Sequence, residues 1–152
     1  MTIYADTNFI TYRYLAGPDT NVMEAEVAET PTCFPIIWLA RMEVINSIEQ
    51  SVLTGYGPAQ ARVSPEFAAA SQQQFREDIE GGEIMRLVHI PEATLARHFE
   101  QIALRHTAKH GFRTYDIMHV SAALALRCRS FWSFDKKASR LAKLEGLKVL
   151  SR

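Results

Sequence analysis

Four carboxylates stand where side chains of an α/β protein meet a ligand. Asp6 closes the short β-capable run Thr2 to Ala5, and Asp135 follows the apolar run Phe131 to Phe134. In parallel sheets the carboxyl ends of the strands form the crevice where ligands bind, so both acids are expected at one rim. Asp116 falls in the first turn of a helix beginning near Thr114, where the macrodipole and free N–H groups favour an ionised carboxylate. Glu43 lies on the polar side of another helix and joins the group if that helix packs beside the first strand. Carboxylates gathered in one pocket raise one another's pKa unless a cation neutralises them. All-oxygen donors with open water positions suit Mg²⁺ or Mn²⁺, which engage phosphate oxygens as well as protein carboxylates. Zinc is disfavoured, because the cysteines and histidines lack zinc spacing. Each acid alone has a plainer account: Asp6 as a helix cap, Asp116 as a partner of a helix dipole, Asp135 as a turn former, Glu43 as surface. The argument for a site rests on all four sharing strand-end or helix contexts.

An Asp after a first strand is also where aspartyl-phosphate chemistry begins. That chemistry needs a second Asp two positions on as general acid, and this chain has Asn8 there. His119, one helical turn after Asp116, reads either as a general acid or substrate contact or as a half-buried histidine beside the core. Tyr12, Arg13 and Tyr14 have two readings as well, contact with bases and phosphate or simple packing. Trp38 and Trp132 sit in apolar contexts and are expected in the core.

With 152 residues and 47% hydrophobic content, the chain has the size and apolar material of one compact domain covering 1–152. No basic region precedes Asp6 and no apolar run approaches ~18 residues, so neither export signal nor membrane span is expected. Cys33 and Cys128 read as reduced packing residues, and the expected location is the cytoplasm. The formal net charge of zero argues against coating nucleic acid by bulk charge. It hides a split: residues 1–80 carry eleven acids against four arginines, and residues 81–152 carry six acids against thirteen Lys plus Arg and all five histidines. The second half is therefore a candidate polyanion surface, with Arg105, Lys109 and Arg113 as substrate contacts; the alternative is that the charges interleave on folding.

The elements that must position these residues are legible from pattern. A strand ends at Asp6, a helix starts at the polar triplet Asp6-Thr7-Asn8, and residues 20–29 form a short acidic helix. Thr32 to Phe34 reads as a second strand. Pro35 is expected to open a long helix with Leu39, Met42, Ile45, Ile48 and Val52 on its apolar stripe, ended by Gly55 with Gly57-Pro58. Residues 59–80 suggest helix broken near Pro65 and closed by Gly81-Gly82. Ile84 to Ile90 has strand character, and Pro91 is placed as the first residue of the next helix. That helix carries Leu95, Phe99 and Ile102 on one face, His98, Arg105 and Lys109 on another, and stops at Gly111. Thr114 is the expected N-cap of a helix to about Cys128. A basic helix from Lys136 to about Leu144, a stop at Gly146 and a strand near Lys148 to Leu150 complete the chain. Strands alternating with helices predict an α/β fold, a mostly parallel central sheet with helices on both faces.

Four stretches in this order, YADTNFITYRYLAG, LARMEVINSI, RTYDIMHVSAALAL and FWSFDKKASRLAKLEGLKVL, resemble the PIN-domain ribonucleases, above all the VapC-like toxins of toxin-antitoxin systems. They span nearly the whole chain; no single motif is specific, and the ordered set is what carries the likeness. The resemblance implies a single PIN-like domain and Mg²⁺- or Mn²⁺-dependent hydrolysis of RNA by water, leaving 5′-phosphate and 3′-hydroxyl ends. It also implies an antitoxin partner and homodimers. It matches Asp6, Glu43, Asp116 and Asp135 to the family's four acids, with Thr7, Asn8 and Ser133 as polar neighbours. Many relatives have a further acid where this chain has Lys137, a departure that questions a second tightly held metal; Lys137 reads as a phosphate contact or a solvated helix-start lysine. The other readings are an RNA-processing nuclease of the same fold that is not a toxin, and a binding module that has lost catalysis.

Overall fold

The computed structural model describes residues 2–55 and 61–150; the expected Gly57-Pro58 stop and the start of the helix expected from residue 59 lie outside them. The elements run β1 (Ile3–Ala5), α1 (Thr7–Thr11), α2 (Thr20–Glu29), β2 (Phe34–Ile36), α3 (Trp38–Thr54), α4 (Pro65–Gly81), β3 (Met85–Leu87), α5 (Glu92–His110), α6 (Thr114–Ala125), β4 (Ser130–Trp132), α7 (Lys136–Leu144) and β5 (Lys148–Val149). Every pairing among the described strands is parallel, in the orders β1-β4-β5 and β2-β3. β2 lies against β1, so the strands follow one another as β3-β2-β1-β4-β5. This is the expected α/β architecture with helices on both faces of a parallel sheet.

The two strands that lead to Asp6 and Asp135 are short, mostly apolar and buried throughout. Ile3, Tyr4 and Ala5 are all buried, as are Ser130, Phe131 and Trp132 beside them, in the register Ile3 to Ser130, Tyr4 to Phe131 and Ala5 to Trp132. Burial on both faces is what a strand between two helical layers requires. Tyr4 stacks on Phe131 at 5.7 Å, and Phe9, Phe34 and Trp132 form an aromatic cluster behind the first helix turn.

Several boundaries differ from the sequence reading. The second strand is Phe34–Ile36, and Pro35 lies inside it instead of opening a helix. Phe34 N–H donates to Ile84 O and Val88 N–H to Ile36 O, so residues 34 and 36 turn toward β3. By strand alternation Pro35 turns the other way, toward β1, where no hydrogen-bonded ladder forms and its missing N–H costs nothing. Pro65 is the first residue of α4, with Ser64 Oγ accepting from Phe67 N, and so begins that helix and does not break it. Pro91 is the N-cap of α5, which starts one residue later than expected, and α6 is capped at Arg113 with Thr114 already helical. The buried stripe of α3 includes Ala40, Val44 and Ile48; Met42, expected on it, is half exposed. Trp38, expected in the core, is 62% exposed because the first residue of α3 points away while Leu39 and Ala40 turn in. Trp132 is buried as expected. No described helix is long and apolar enough to cross a membrane.

Candidate active site

β1 and β4 end side by side, and Asp6 N–H donates to Trp132 O at 2.8 Å, the last rung before both strands lead into helices. Asp6 then caps α1, its Oδ1 accepting from Thr7 N at 2.7 Å. Its Oδ2 accepts from Ser133 Oγ at 2.9 Å and Asn8 Nδ2 at 3.3 Å. Burial pushes the Asp6 carboxyl above its ordinary value, against the opposing pull of His119, Ser133 and Thr7. Asp135 repeats the arrangement at the next strand: it caps α7, Oδ1 accepting from Lys137 N and Ala138 N at 2.7 and 3.0 Å. Asn8 Oδ1 accepts from Phe134 N at 2.9 Å and Ser133 Oγ from Asp135 N at the same distance, so the polar neighbours knit the two strand ends together.

α3 and α6 bring the other two acids. Glu43 Oε2 accepts from Thr7 Oγ1 and lies against His119 Nε2, both at 2.6 Å. Its Oε1 has no hydrogen-bond partner among the described residues. His119 is 3% exposed, with Nδ1 at 2.8 Å from the hydroxyl of fully buried Tyr4 and Nε2 at 3.5 Å from Asp6 Oδ1. Burial works against a charge on His119, but Asp6, Glu43 and Asp116 together outweigh it and raise its pKa. An imidazolium there donates Nε2–H to Glu43 and Nδ1–H to Tyr4. Burial likewise works against the Glu43 charge, and the hydrogen bond and charge of His119 with the Thr7 hydroxyl overcome it, so its pKa falls.

Asp116, the third residue of α6 and 6% exposed, accepts from Arg113 N at 3.2 Å. The Arg113 guanidinium grips the same carboxylate, Nε to Oδ2 at 3.1 Å and Nη2 to Oδ1 at 3.2 Å, and reaches Asp135 Oδ2 at 3.0 Å. A cation of the chain's own thus stands between two of the four acids. Among the described residues no three His, Cys, Asp or Glu side chains are arranged to hold a metal ion as they stand. The donor set still suits a hard cation: Asp6, Glu43, Asp116 and Asp135 line one cleft of about 240 Å³ with Thr7, Asn8, Ser47, Tyr115 and His119, and Arg113 brings a positive charge to it.

This architecture has a counterpart of known structure. The chain superposes on the crystal structure of Mycobacterium tuberculosis VapC20, a sarcin-ricin loop cleaving toxin, with a TM-score of 0.65 over 91% of this chain and 94% of that one. The fold is PIN-like. At 16% identity the likeness is one of fold alone. No protein-family model and no curated protein sequence matches the chain.

Of the residues singled out from sequence, the four acids, Thr7, Asn8, Arg113 and His119 line the cleft, and Ser133 is buried beneath it holding Asp6. Lys137 is exposed on the first turn of α7 and does not line the cleft. Arg105 and Lys109 do not either: Arg105 is engaged by Glu145, with Nη2 at 2.6 Å, and Lys109 is exposed in the last turn of α5. Arg13 and Tyr14 both bind Asp78, and Tyr12 packs edge-on against Phe134, so this trio takes the packing reading. Sequence reasoning missed Ser47, Tyr115 and Tyr4 as parts of the site. Ser47 follows Glu43 by four residues and had a helical signal; Tyr4 lies on a strand read only as core, and its contact with a residue 115 positions away left no local trace.

Proposed function

We propose that this chain is a Mg²⁺- or Mn²⁺-dependent endoribonuclease, the toxin of a toxin-antitoxin pair, acting as a single PIN-like domain and assembling as a homodimer. The observation that carries the reading is the convergence of Asp6, Glu43, Asp116 and Asp135, from two strand ends and two helices, on one cleft. Bound there, a divalent cation would supply the charge that makes a water nucleophilic near neutral pH and steadies the oxygens of the phosphate. The chain's own residues do the rest. Asp6 and Asp116 would hold the cation, the first kept in place by Thr7 N and Ser133 Oγ and the second by the start of α6. Glu43 offers its unpartnered Oε1 to orient the attacking water, because Thr7 and His119 fix the other oxygen. Asp135 closes the far side. Water adds to phosphorus as the bond to the 3′-oxygen breaks, giving 5′-phosphate and 3′-hydroxyl ends.

Arg113 gives a second reading its footing. A guanidinium bridging Asp116 and Asp135 is what a PIN-like protein that binds without cutting would present. The two separate in one experiment: incubation of labelled RNA with the chain in Mg²⁺, in Mn²⁺ and in chelator, with the product ends analysed. Cleavage that needs the metal and leaves 5′-phosphates supports the nuclease; RNA that stays intact in both metals supports the binding module.

A further inference from the structure

A second groove, of about 330 Å³, opens beside the cleft and is walled by α7. Lys136, Arg140 and Lys143 line it, at positions i, i+4 and i+7 of the helix that Asp135 caps, so the basic stripe begins at the residue after a cleft carboxylate. All three are exposed, and none pairs with an acid among the described residues; Arg140 Nη2 lies 3.4 Å from His110 Nδ1. The floor is apolar, made by Phe134, Val149 and Leu150. Ser133 lies in the wall and donates to Asp6, so one buried hydrogen bond joins the groove to a cleft carboxylate. An apolar floor under an unpaired cationic rim fits a single nucleic-acid strand, whose phosphates seek the rim and whose bases seek the floor. The stripe rises about 10 Å along the helix, long enough to meet more than one phosphate of a strand. The basic residues nearest to hand from sequence, Arg105 and Lys109, do not line this groove either.

We propose that the α7 groove binds the phosphates of single-stranded RNA flanking the bond to be cut, with Lys136, Arg140 and Lys143 as the contacts. This rests on the nuclease reading for what happens in the cleft, and the binding itself can be measured without it. In a chain carrying Asp6→Asn to prevent cleavage, affinity for a fluorescent twelve-nucleotide RNA is measured across salt concentrations. It is measured again with Lys136→Ala, Arg140→Ala and Lys143→Ala added, and with Arg86→Ala, Arg97→Ala and Arg127→Ala as a control of equal charge. Losing three phosphate contacts should flatten the salt slope by about 2, so that between about 50 and 200 mM salt the α7 triple variant loses about 20-fold less affinity than its parent. The control should keep the parental slope. In the active chain the same α7 triple should raise KM for the twelve-mer more than KM for a dinucleotide, which is too short to span the stripe. A slope equal to that of the control, with circular dichroism unaltered, overturns the groove. If neither substrate is cut by any form yet the slope still flattens, the nuclease reading fails and the groove stands as an RNA site.

Discussion

Arg113 is the residue on which the reading of the cleft turns. It occupies the space between Asp116 and Asp135 with a side chain that is largely exposed, so little packing holds it there and it can leave when a metal competes. Asp116→Asn removes a charged donor without changing size; we expect RNA cleavage to fall by at least about 10³-fold, the equivalent of several kcal/mol, with the fold intact by circular dichroism. Asp6→Asn should behave alike, and wild-type turnover in either variant would sink the carboxylate site. His119 acts one step back, through Glu43. Removing a group that orients a metal-binding carboxylate typically costs 10- to 100-fold in metal affinity, so His119→Ala should weaken Mn²⁺ binding by about that factor in calorimetry. His119→Gln, which can still donate to Glu43, should recover part of it; equal affinities for wild type and His119→Ala would reduce His119 to packing. The four acids were legible in the sequence because each terminates a strand or lies on a helix whose pattern was visible. Arg113's grip on Asp135 was not, since it joins residues 22 positions apart across two helix starts.

Glu145 does for the elements what Asp6 does for the site. Just past the end of α7, it accepts from Arg105 Nε and Nη2 and lies 2.6 Å from His106 Nε2, fastening α7 to α5. Burial works against its charge, but the hydrogen bonds and charges of Arg105 and His106 prevail and hold its pKa below the ordinary value of 4.5. A carboxylate whose folded pKa is depressed contributes stability that is present above its unfolded value and lost as pH falls through the folded one. Glu145→Gln should therefore destabilise by about 1–2 kcal/mol near neutral pH, allowing for the half-exposed arginine, and the gap from wild type should narrow as pH falls below the ordinary glutamate value of 4.5 in urea unfolding. A gap that stays constant with pH would assign the loss to packing. In α4, Ser64→Ala removes the cap on Phe67 N–H and should cost about 1 kcal/mol in the same assay. Helices with complete local signals were read almost to the residue: 20–29 and 136–144 match α2 and α7. Prolines misled, because Pro35 and Pro65 carry the same local signature and only the tertiary setting puts one in a strand facing away from its ladder and the other at a helix start.

At the scale of the molecule, the charge split resolves into position. The acids of the first half supply Asp6 and Glu43, and the bases of the second supply both the arginine in the cleft and the stripe on α7. A cleft this exposed and ringed with donors needs restraint from outside if it cuts RNA in the cell, and a partner protein can supply it by offering a further guanidinium to the carboxylates that Arg113 leaves open, Asp6 and Glu43. The chain produced alone in a bacterial host should then arrest growth, and Asp116→Asn or co-production of the adjacent open reading frame should relieve the arrest. Arg113→Ala tests the same logic from within: with its internal cation gone, the cleft should take up metal at lower concentration, and the metal requirement for cleavage should shift downward by roughly tenfold, about 1.4 kcal/mol of lost competition. Vigorous growth with wild-type protein that is soluble and cuts RNA in Mg²⁺ would keep the nuclease and remove the toxin, leaving an RNA-processing enzyme; an arrest that persists in Asp116→Asn would detach toxicity from the cleft altogether.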